Sequence, residues 1–428
     1  MALSSVGILT LNGSSGSIVI PDGASIGSAS DTDAITIAST GLITVTQDLT
    51  VADDVTIGDD LLLDSDSAII KLGDDQDVTI THNADKGITL NSMDISGVKS
   101  INGTDSGSGA NYGQIGGRRN MIYNGDMAIA QRATSSSGLG ASSGYFVQDR
   151  WKILVSQLEG RFTLSQDAET PDGFANSMKI DCTTTDNAEA NEYLIIEHKL
   201  EGLDLQGLNK GDAQARPLIL SFWVRSPKTG VHTVNLYDTS NTRHIGSTYT
   251  IASADTWEYH SVTFAGDTSG VIPDDNTEGL TIYFWLMSGS NWTSGTFATS
   301  WASFTAANAV HSSQVNVLDN TNNDFYLTGV QMELGDTASA FEYQSYGENL
   351  ARCQRYFYKG EDAIYGARVD TFAGYANVWF PTTMRADPTV TGVNSASTAQ
   401  GVSRNRIDCY AQGGYPNFDA GHTADAEL

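Results

Sequence analysis

The chain has 428 residues, with 51 acidic side chains against 23 Lys and Arg, and therefore a net charge of −28. This length is enough for two or three domains with ordinary cores. The negative charge disfavours nucleic acid and anionic lipid as partners, because their phosphate groups would be repelled. The three cysteines, Cys182, Cys353 and Cys409, are far apart and odd in number, which predicts reduced thiols rather than disulfides or a zinc site.

Targeting and metal-binding signals are missing from the sequence. The first residues have neither a basic stretch nor a long apolar run, so we expect no signal peptide. No apolar run approaches the roughly 18 residues that a membrane-spanning helix needs, so no membrane insertion is expected. The seven histidines are dispersed, with no HExxH or HxxxH pattern. We therefore predict no cofactor and no metal.

Residues 1–111 differ from the rest of the chain in composition. They contain no Phe, Tyr, Trp, Glu or Cys, but 16 Asp and only 3 Lys. Short runs rich in Ile, Leu, Val and Thr recur between clusters of Asp, Asn and Gly, which predicts many short strands. Without aromatic side chains these strands cannot fill a thick core, so we predict a narrow fibrous shaft, such as one interwoven from three chains. Dense apolar content disfavours the alternative, a disordered acidic linker.

A conventional β domain is predicted over residues 112–345. The Gly- and Ser-rich segment 102–120 before it predicts a hinge. Period-two alternation of apolar side chains is clear in segments 218–225, 257–264 and 280–287. Strands of this length, separated by turns, indicate an all-β fold with an antiparallel sandwich of the jelly-roll kind.

A small β-rich module is predicted over residues 346–428, after one short helix. The strand Tyr326–Leu334 would complete the sandwich. A helix over Glu348–Tyr358 follows from apolar spacing, because Leu350, Cys353, Gln354 and Phe357 fall three and four residues apart. A helix of about ten residues is marginal alone, so it has to pack on a neighbouring element.

Four blocks of the sequence form an ordered set that spans about 240 residues. They are NMIYNGDMAIAQRATS (120–135), YFVQDRW (145–151), RPLILSFWVRS (216–226) and LTGVQMELGDTASAFEYQSYGENLARCQRYF (327–357). This set resembles a module of bacteriophage structural proteins that recurs in tail fibres and related virion fibres, notably of marine and cyanobacterial phages. The repetitive segment 49–90 is similar to the shafts of such fibres, and MRADPTV and the terminal DAEL are similar to how they end.

The resemblance implies a virion protein that is made in the host cytoplasm and assembled into the phage particle. It implies a homotrimer with a shaft, and a jelly-roll knob similar to carbohydrate-binding modules. The N-terminal region is expected to contact other virion proteins of the tail or capsid, and the knob a host surface glycan. The family has no catalytic motif to carry over to this chain.

A polysaccharide-cleaving tailspike would use a pair of carboxylates. The sequence has many acidic candidates, namely Asp149, Asp167, Asp172, Glu192, Glu197, Glu333 and Glu342. None of them stands out as a pair, because sequence gives neither the separation of two carboxylates nor their pKa values. We predict no catalytic residues, and the tailspike remains the less favoured alternative.

The segment 288–314 is the first candidate for ligand binding. Two Trp and two Phe lie there among Ser, Thr, Gly and Asn, a composition that suits sugars, whose ring faces stack on aromatics while their hydroxyls are hydrogen-bonded. The predicted ligand-binding residues are Asn291, Trp292, Trp301, Phe304 and His311. In the alternative interpretation, these aromatic rings anchor the loop on the sandwich or pack between subunits.

A second candidate is a sheet face bearing Trp223, Tyr283 and Trp285, although facing aromatic side chains more often form a core. The leading hypothesis is a trimeric virion fibre that attaches to host glycans. The alternative is a structural or connecting fibre without a receptor. Exposed aromatic rings in segment 288–314 would favour binding, and buried ones would favour the structural role.

Overall fold

The computed structural model describes short strands within the first 91 residues and then residues 119–368, 373–393, 398–412 and 415–428. The chain divides into two compact units, Met1–Gly103 and Thr104–Leu428. Most of the predicted hinge, residues 104–118, lies outside the described residues.

The first unit contains two antiparallel sheets of three short strands each. One is formed by β1 (Ser25–Ile26), β2 (Ile35–Ile37) and β3 (Ile43–Val45), and the other by β4 (Ile69–Leu72), β5 (Val78–Asn83) and β6 (Gly87–Asn91). The strands β2 to β6 coincide with Ile- and Val-rich runs that are predicted as strands, whereas β1 lies outside those runs. Three further runs of this kind, SIVI (17–20), DVTIG (54–58) and DLLLDS (60–65), are also predicted as strands and lie outside the described residues. The shaft of three interwoven chains stays a prediction.

The second unit is built on a sandwich of two six-stranded antiparallel sheets. Its strands in chain order are β7 (Ser135–Leu139), β8 (Trp151–Ser156), β9 (Arg161–Asp167), β10 (Ser177–Thr184), β11 (Tyr193–Glu201), β12 (Leu218–Arg225), β13 (Gly230–Asp238), β14 (Arg243–Ile251), β15 (Glu258–Phe264), β16 (Glu278–Ser288), β17 (Ala302–Ser303) and β18 (Asp324–Leu334). Sheet I has the order β15-β12-β18-β10-β9-β7, and sheet II the order β17-β14-β13-β16-β11-β8. The chain crosses repeatedly between the sheets, which confirms the predicted antiparallel jelly roll.

The core lies between the two sheets and follows the predicted alternation. Phe222 of β12 and Phe284 of β16 meet edge to face, with ring centroids 5.0 Å apart, and both are fully buried. Burial of each such side chain contributes about 1.5–3 kcal/mol. Alternation over 280–287 places Met287 on the outer face of β16 with Thr281, Tyr283 and Trp285, but Met287 is buried in the same core. The register between β11 and β16 shifts after Leu194, which breaks the simple alternation near this end of the strand.

Helix is scarce in the described part of the chain. The helix α1 (Ser290–Thr293) is a single turn inside segment 288–314, and α2 (Tyr346–Gln354) begins with a capping box between Ser345 and Glu348. The predicted helix was right in place but too long, because Phe357 already belongs to the following strand. Four short 3-10 turns lie at Gly202–Asp204, Gln206–Leu208, Ala306–Asn308 and Val317–Asp319. None of the described helices has the length and apolar character needed to cross a membrane.

Two small sheets follow α2 and form what we call the terminal module, residues 357–428. Its strands are β19 (Phe357–Lys359), β20 (Ile364–Tyr365), β21 (Ala367–Arg368), β22 (Ala373–Trp379), β23 (Thr389–Val393), β24 (Thr398–Val402), β25 (Arg406–Gln412) and β26 (Asn417–Asp425). In sheet III, β26 pairs with β19, β20 and β23; sheet IV has the order β21-β22-β25-β24. The module has its own core, which includes Val378, Ile407, Cys409 and Phe418.

A buried ionic contact joins the sandwich to the terminal module. Arg150 precedes β8, is fully buried and pairs with the Glu427 carboxylate. Its guanidinium also donates to the Lys199 carbonyl at 2.6 Å and lies 3.5 Å from the Tyr356 ring centroid. Arg132 adds a second contact to Glu427 at 3.3 Å. We call Arg132, Arg150 and Glu427 the ionic seam.

Replacing Glu427 by Gln should destabilise the protein by about 3–5 kcal/mol, because Arg150 then stays buried without a compensating charge. Chemical denaturation of the full chain measures the loss. Asp425→Asn is the matched control: Asp425 also contacts Arg132, but its side chain is 42% exposed, so the expected loss is about 1 kcal/mol or less. Equal losses in the two variants would contradict the assigned role of the ionic seam.

The buried histidine of β13 should make stability fall in acid. His232 is fully buried, and its ring stacks on Tyr249 at 5.2 Å. Burial lowers the pKa of His232 to about 4, whereas the unfolded chain binds the proton near pH 6.5. The stabilisation from the neutral ring is therefore complete above about pH 6.5 and is lost as the pH falls through about 4.

A His232→Phe variant lacks this titration. The stability of the wild type relative to the variant should fall by about 3 kcal/mol between pH 7 and pH 4, measured by urea unfolding. The subtraction removes groups common to both chains, such as Asp149, whose pKa is raised by burial to about 6. A difference that does not vary with pH would show that His232 does not titrate in this way.

Candidate functional site

The outer face of sheet II carries aromatic side chains in the middle of its width. Strand pairing places Leu154, Ile195 and Trp285 in one row across β8, β11 and β16. The next row brings Lys152, Glu197 and Tyr283 together. Alternate residues of a strand point to the same face. Inward-facing neighbours such as Ile196 and Phe284 fill the core, so these rows look outward.

An aromatic cavity of about 220 Å³ lies on this face. Its wall consists of six aromatic and two aliphatic side chains, which are Leu154, Tyr193, Ile195, Tyr237, Tyr283, Trp285, Trp292 and Phe304. The rings support one another: Tyr193 meets Trp292 edge to face at 5.1 Å, and Trp285 lies 5.6 Å from Trp292. On the other side, Phe304 packs against Tyr237 at 5.1 Å. The cavity is therefore preformed by ring-to-ring contacts.

Segment 288–314 is held on the sheet by backbone hydrogen bonds, which position Trp292 and Phe304. Gly289 N–H donates to the Glu192 carbonyl at 2.8 Å, and Phe304 N–H donates to the Thr242 carbonyl at 2.9 Å. Within the segment, Val310 N–H donates to the Trp292 carbonyl at 3.0 Å. The segment therefore fixes its two cavity-lining rings and does not hang free in solvent.

Two indole N–H groups at the cavity are unsatisfied. Among the described residues, neither Trp285 Nε1 nor Trp292 Nε1 meets a hydrogen-bond acceptor. A buried donor without a partner costs about 1–3 kcal/mol. The fold carries this cost at the aromatic cavity, as it does at other buried polar atoms such as Trp257 Nε1 and Tyr249 Oη.

A charged border adjoins the aromatic cavity. Lys199 Nζ lies 3.4 Å from the Glu197 carboxylate and 2.6 Å from the Glu278 carboxylate, and Lys152 Nζ lies 3.9 Å from Glu197. Burial raises the pKa of Glu197, against the opposing effect of the two lysines. Burial, reinforced by the charge of Glu197, also raises the pKa of Tyr193 and of Tyr283. The phenols that line the cavity are therefore neutral at physiological pH.

The structure brings two of the five predicted ligand-binding residues together. Trp292 and Phe304 line the aromatic cavity. Trp301 packs against the main core, and its indole N–H donates to the Ala265 carbonyl at 2.7 Å. His311 packs edge to face on Phe297, and Asn291 is exposed, with its amide donating to the Asn191 side chain.

The second candidate, a sheet face bearing Trp223, Tyr283 and Trp285, was only half correct. Tyr283 and Trp285 share the outer face of sheet II, but Trp223 lies on β12 of sheet I, where its ring packs on Tyr259 at 5.4 Å. The core interpretation fits Trp285, which is buried under segment 288–314 in a hydrophobic cluster separate from the main core. Alternation predicted the outward orientation, but not which sheet each strand joins.

Sequence reasoning missed Tyr193 and Tyr237, and it named the border residue Glu197 only as one of many acidic candidates for catalysis. Each lies in an ordinary alternating strand, and only the pairing of β11 and β13 with β16 brings them beside Tyr283. A scan for outward-pointing aromatic residues in every strand would have found both tyrosines as candidates. It would not have shown that they are adjacent.

A larger and more open groove of about 460 Å³ lies elsewhere, lined mainly by polar side chains such as Gln206, Asn209 and Gln214. Its lysine, Lys210, is already bound: the ammonium pairs with Asp238 and Asp267 and donates to the Ser269 and Gly270 carbonyls, both at 2.9 Å. No aromatic ring lines this groove. Among the described residues, no group of three His, Cys, Asp or Glu side chains is arranged to hold a metal ion. The aromatic cavity is therefore the stronger candidate.

Comparison with known proteins gives matches in structure. No family model matches the chain, and no curated protein matches it in sequence. It is similar to the enzymatically active domain of bacteriophage CBA120 tailspike protein 4, at 10% identity and a TM-score of 0.27, over 50% of this chain but only 21% of that one. It is also similar to the family 11 carbohydrate-binding module from Clostridium thermocellum, solved with a β-1,3-1,4-mixed-linked tetrasaccharide, at 11% identity and a TM-score of 0.25, over 49% of this chain and 99% of the module.

A further similar structure is TmCBM61 in complex with β-1,4-galactotriose, at 7% identity and a TM-score of 0.24, over 51% of this chain and 99% of the module. At these levels of similarity, the function has to be argued from the site's own geometry.

Proposed function

We propose that the chain binds a glycan through the aromatic cavity and serves as an attachment fibre of a phage virion. The observation that carries the binding proposal is a preformed cavity, walled by six aromatic rings, on the outer face of a sheet. Rings that only stabilise the fold would be expected to close on one another. These leave a volume of about 220 Å³ between them.

The chemistry of the wall suits an uncharged sugar ring. The apolar faces of a sugar stack on aromatic rings, and the neutral phenols of Tyr193, Tyr237 and Tyr283 can exchange hydrogen bonds with its hydroxyls. Lys199 at the border is partly exposed and can donate to a hydroxyl at the edge of the ring, whereas Glu197 is buried and already paired. The volume is below the roughly 300–1,000 Å³ of sites for drug-sized ligands, so we assign it a single sugar ring.

The virion role is supported by the resemblance of the four sequence blocks to phage fibre proteins. A single sugar contact is weak, with a dissociation constant of about 1 mM, or about −4 kcal/mol. Three knobs on one trimeric fibre would raise the effective concentration and convert weak contacts into firm adhesion. In this proposal the first unit attaches to other virion proteins, and the sandwich faces the host surface.

The pairing of the carboxylates nearest the cavity supports a non-enzymatic role. Glu197 and Glu278 are both paired with Lys199, so neither is a free acid beside a free base. Incubation of the protein with host envelope polysaccharide should leave the length of the polysaccharide unchanged. Shortening of the polysaccharide would identify a tailspike enzyme instead.

Replacing Trp292 by Ala should weaken glycan binding at least tenfold while the fold survives. Trp292 lies on a one-turn helix on the outer face of sheet II, so its loss opens the cavity wall without a hole in the main core. Binding is measured as retention on immobilised host polysaccharide, and folding by the thermal transition in circular dichroism.

The matched control is Trp223→Ala, which removes an indole from the outer face of the opposite sheet. It should retain wild-type binding. Equal retention by wild type and Trp292→Ala would contradict a role of the aromatic cavity in binding, and would favour a fibre that only connects other parts of the particle.

The full chain should sediment as a trimer. The aromatic-free strands of residues 1–111 need neighbouring chains to cover their apolar faces. Sedimentation velocity over a wide concentration range measures the mass, with a chain that starts at residue 104 as the comparison. A full chain that stays monomeric throughout would rule out the interwoven shaft.

A further inference from the structure

We propose that the outer face of sheet IV, in the terminal module, is a second glycan-binding surface, which takes an extended, uncharged polysaccharide. We call this surface the terminal platform and define it by Tyr375, Asn377 and Trp379 of β22 with Arg406, Asp408 and Tyr410 of β25. It lies on different strands from the aromatic cavity. The inference goes beyond the proposed function and does not depend on it.

Alternation in two neighbouring strands creates the platform. In β22, Ala376 and Val378 are buried in the core of the module, while Tyr375 and Trp379 are 55% and 61% exposed. In β25, Ile407 and Cys409 are fully buried in the same core. Because successive side chains of a strand point to opposite faces, the residues between these buried positions look outward.

The outward residues pair across the two strands into a ladder. Tyr375 stands opposite Tyr410, with ring centroids 5.4 Å apart, and Trp379 stands opposite Arg406, whose guanidinium lies 5.1 Å from the indole. Between these two pairs, Asn377 faces Asp408. A tyrosine pair and an indole–guanidinium pair therefore flank a polar rung, and the rings are held in place by their cross-strand partners.

The exposure of these rings is unusual for a folded surface. Tyr and Trp carry large apolar areas, and Tyr375 and Trp379 expose more than half of theirs on one face of sheet IV. Two further tyrosines, Tyr365 and Tyr415, are exposed at 75% and 64% in the same module. Gly366 N–H donates to the Pro416 carbonyl at 2.8 Å, which keeps the two tyrosine-bearing segments side by side.

The charge balance of the platform favours an uncharged ligand. Its one cation, Arg406, pairs with its one anion, Asp408, at 3.1 Å, so the platform carries no net charge. The chain as a whole carries −28, so an anionic polysaccharide would be repelled without any excess of positive charge on the platform to offset it. A protein partner with an apolar face would leave the central rung, Asn377 and Asp408, poorly paired.

Dimensions distinguish the platform from the cavity. Tyr375 and Trp379 are four residues apart on one strand, which separates their Cα atoms by about 13 Å at about 3.3 Å per residue. This span exceeds one sugar ring. The polysaccharide would stack one ring near Tyr375 and another near Trp379, with hydroxyls between them reaching Asn377 and Asp408.

Affinity electrophoresis with soluble neutral polysaccharides tests the inference. The probes are a mixed-linkage β-glucan and a β-galactan, each run beside its carboxymethylated, anionic derivative. The full chain with Trp292→Ala should still be retarded by at least one neutral probe, because the platform is intact. Adding Trp379→Ala to it should weaken that retardation at least tenfold. Tyr346→Ala, which removes an exposed tyrosine from α2, is the matched control and should change nothing.

Each other outcome overturns the inference. If Trp379→Ala leaves the retardation by every neutral probe unchanged, or if no neutral probe retards the chain, the platform does not bind polysaccharide. Equal retardation by the anionic derivatives would overturn the assignment of an uncharged ligand. If Trp379→Ala instead changes the sedimenting mass, the platform is a contact between copies of the chain.

The two proposals fail separately. Loss of binding in Trp292→Ala with full binding in Trp379→Ala would support binding at the aromatic cavity and rule out binding at the platform. The reverse pattern would support the platform alone.

Discussion

The buried pair of Arg150 and Glu427 is the contact on which the arrangement of sandwich and terminal module depends. An arginine that is fully buried needs a carboxylate and further acceptors, and Glu427 and the Lys199 carbonyl supply them. The aromatic rings of Tyr356 and Phe357 cover the guanidinium groups of Arg150 and Arg132 at 3.5 and 3.6 Å. Residues far apart in the chain therefore meet at one buried place.

Three of the four sequence blocks also contact one another. Asn124 of the first block receives the Trp151 indole N–H of the second at 2.9 Å, and its backbone N–H donates to Asn349 of the last block at 3.1 Å. Gln131 of the first block reaches the Phe357 carbonyl at 2.8 Å. The first, second and last blocks thus supply residues that hold the sandwich, α2 and the terminal module together, whereas the third block forms strand β12 inside sheet I. The aromatic cavity and the terminal platform lie in other segments of the chain, so the resemblance bears on architecture more than on ligand.

Local patterns were enough to predict much of the fold. Alternation identified β12, β15 and β16 and the core positions of Phe222 and Phe284, and spacing placed α2 to within a few residues. The pairing of distant strands could not be predicted from local patterns, because Trp223 and Trp285 have the same outward pattern yet belong to opposite sheets. For the site, composition of segment 288–314 pointed to Trp292 and Phe304. Tyr193 and Tyr237 became part of it only through the order of strands in sheet II.

The account gives the chain two aromatic surfaces of different shape. The cavity, with a volume of about 220 Å³, has neutral phenols and a charged border, whereas the platform lies on the open face of sheet IV and has a central polar rung. Rigid aromatic rings lose little conformational entropy on binding, so both surfaces could bind a ligand with a small entropic cost. Repetition in a trimer would then supply the strength that a single contact lacks.

The most direct test of the central claim is a crystal structure of the chain soaked with oligosaccharides released from host envelope polysaccharide. The account predicts a sugar ring in the aromatic cavity, stacked among Tyr193, Trp285 and Trp292 and within hydrogen-bond distance of a cavity tyrosine. Density for sugar only outside the cavity and the terminal platform, or an empty cavity in a chain shown to bind the same oligosaccharide in solution, would contradict it.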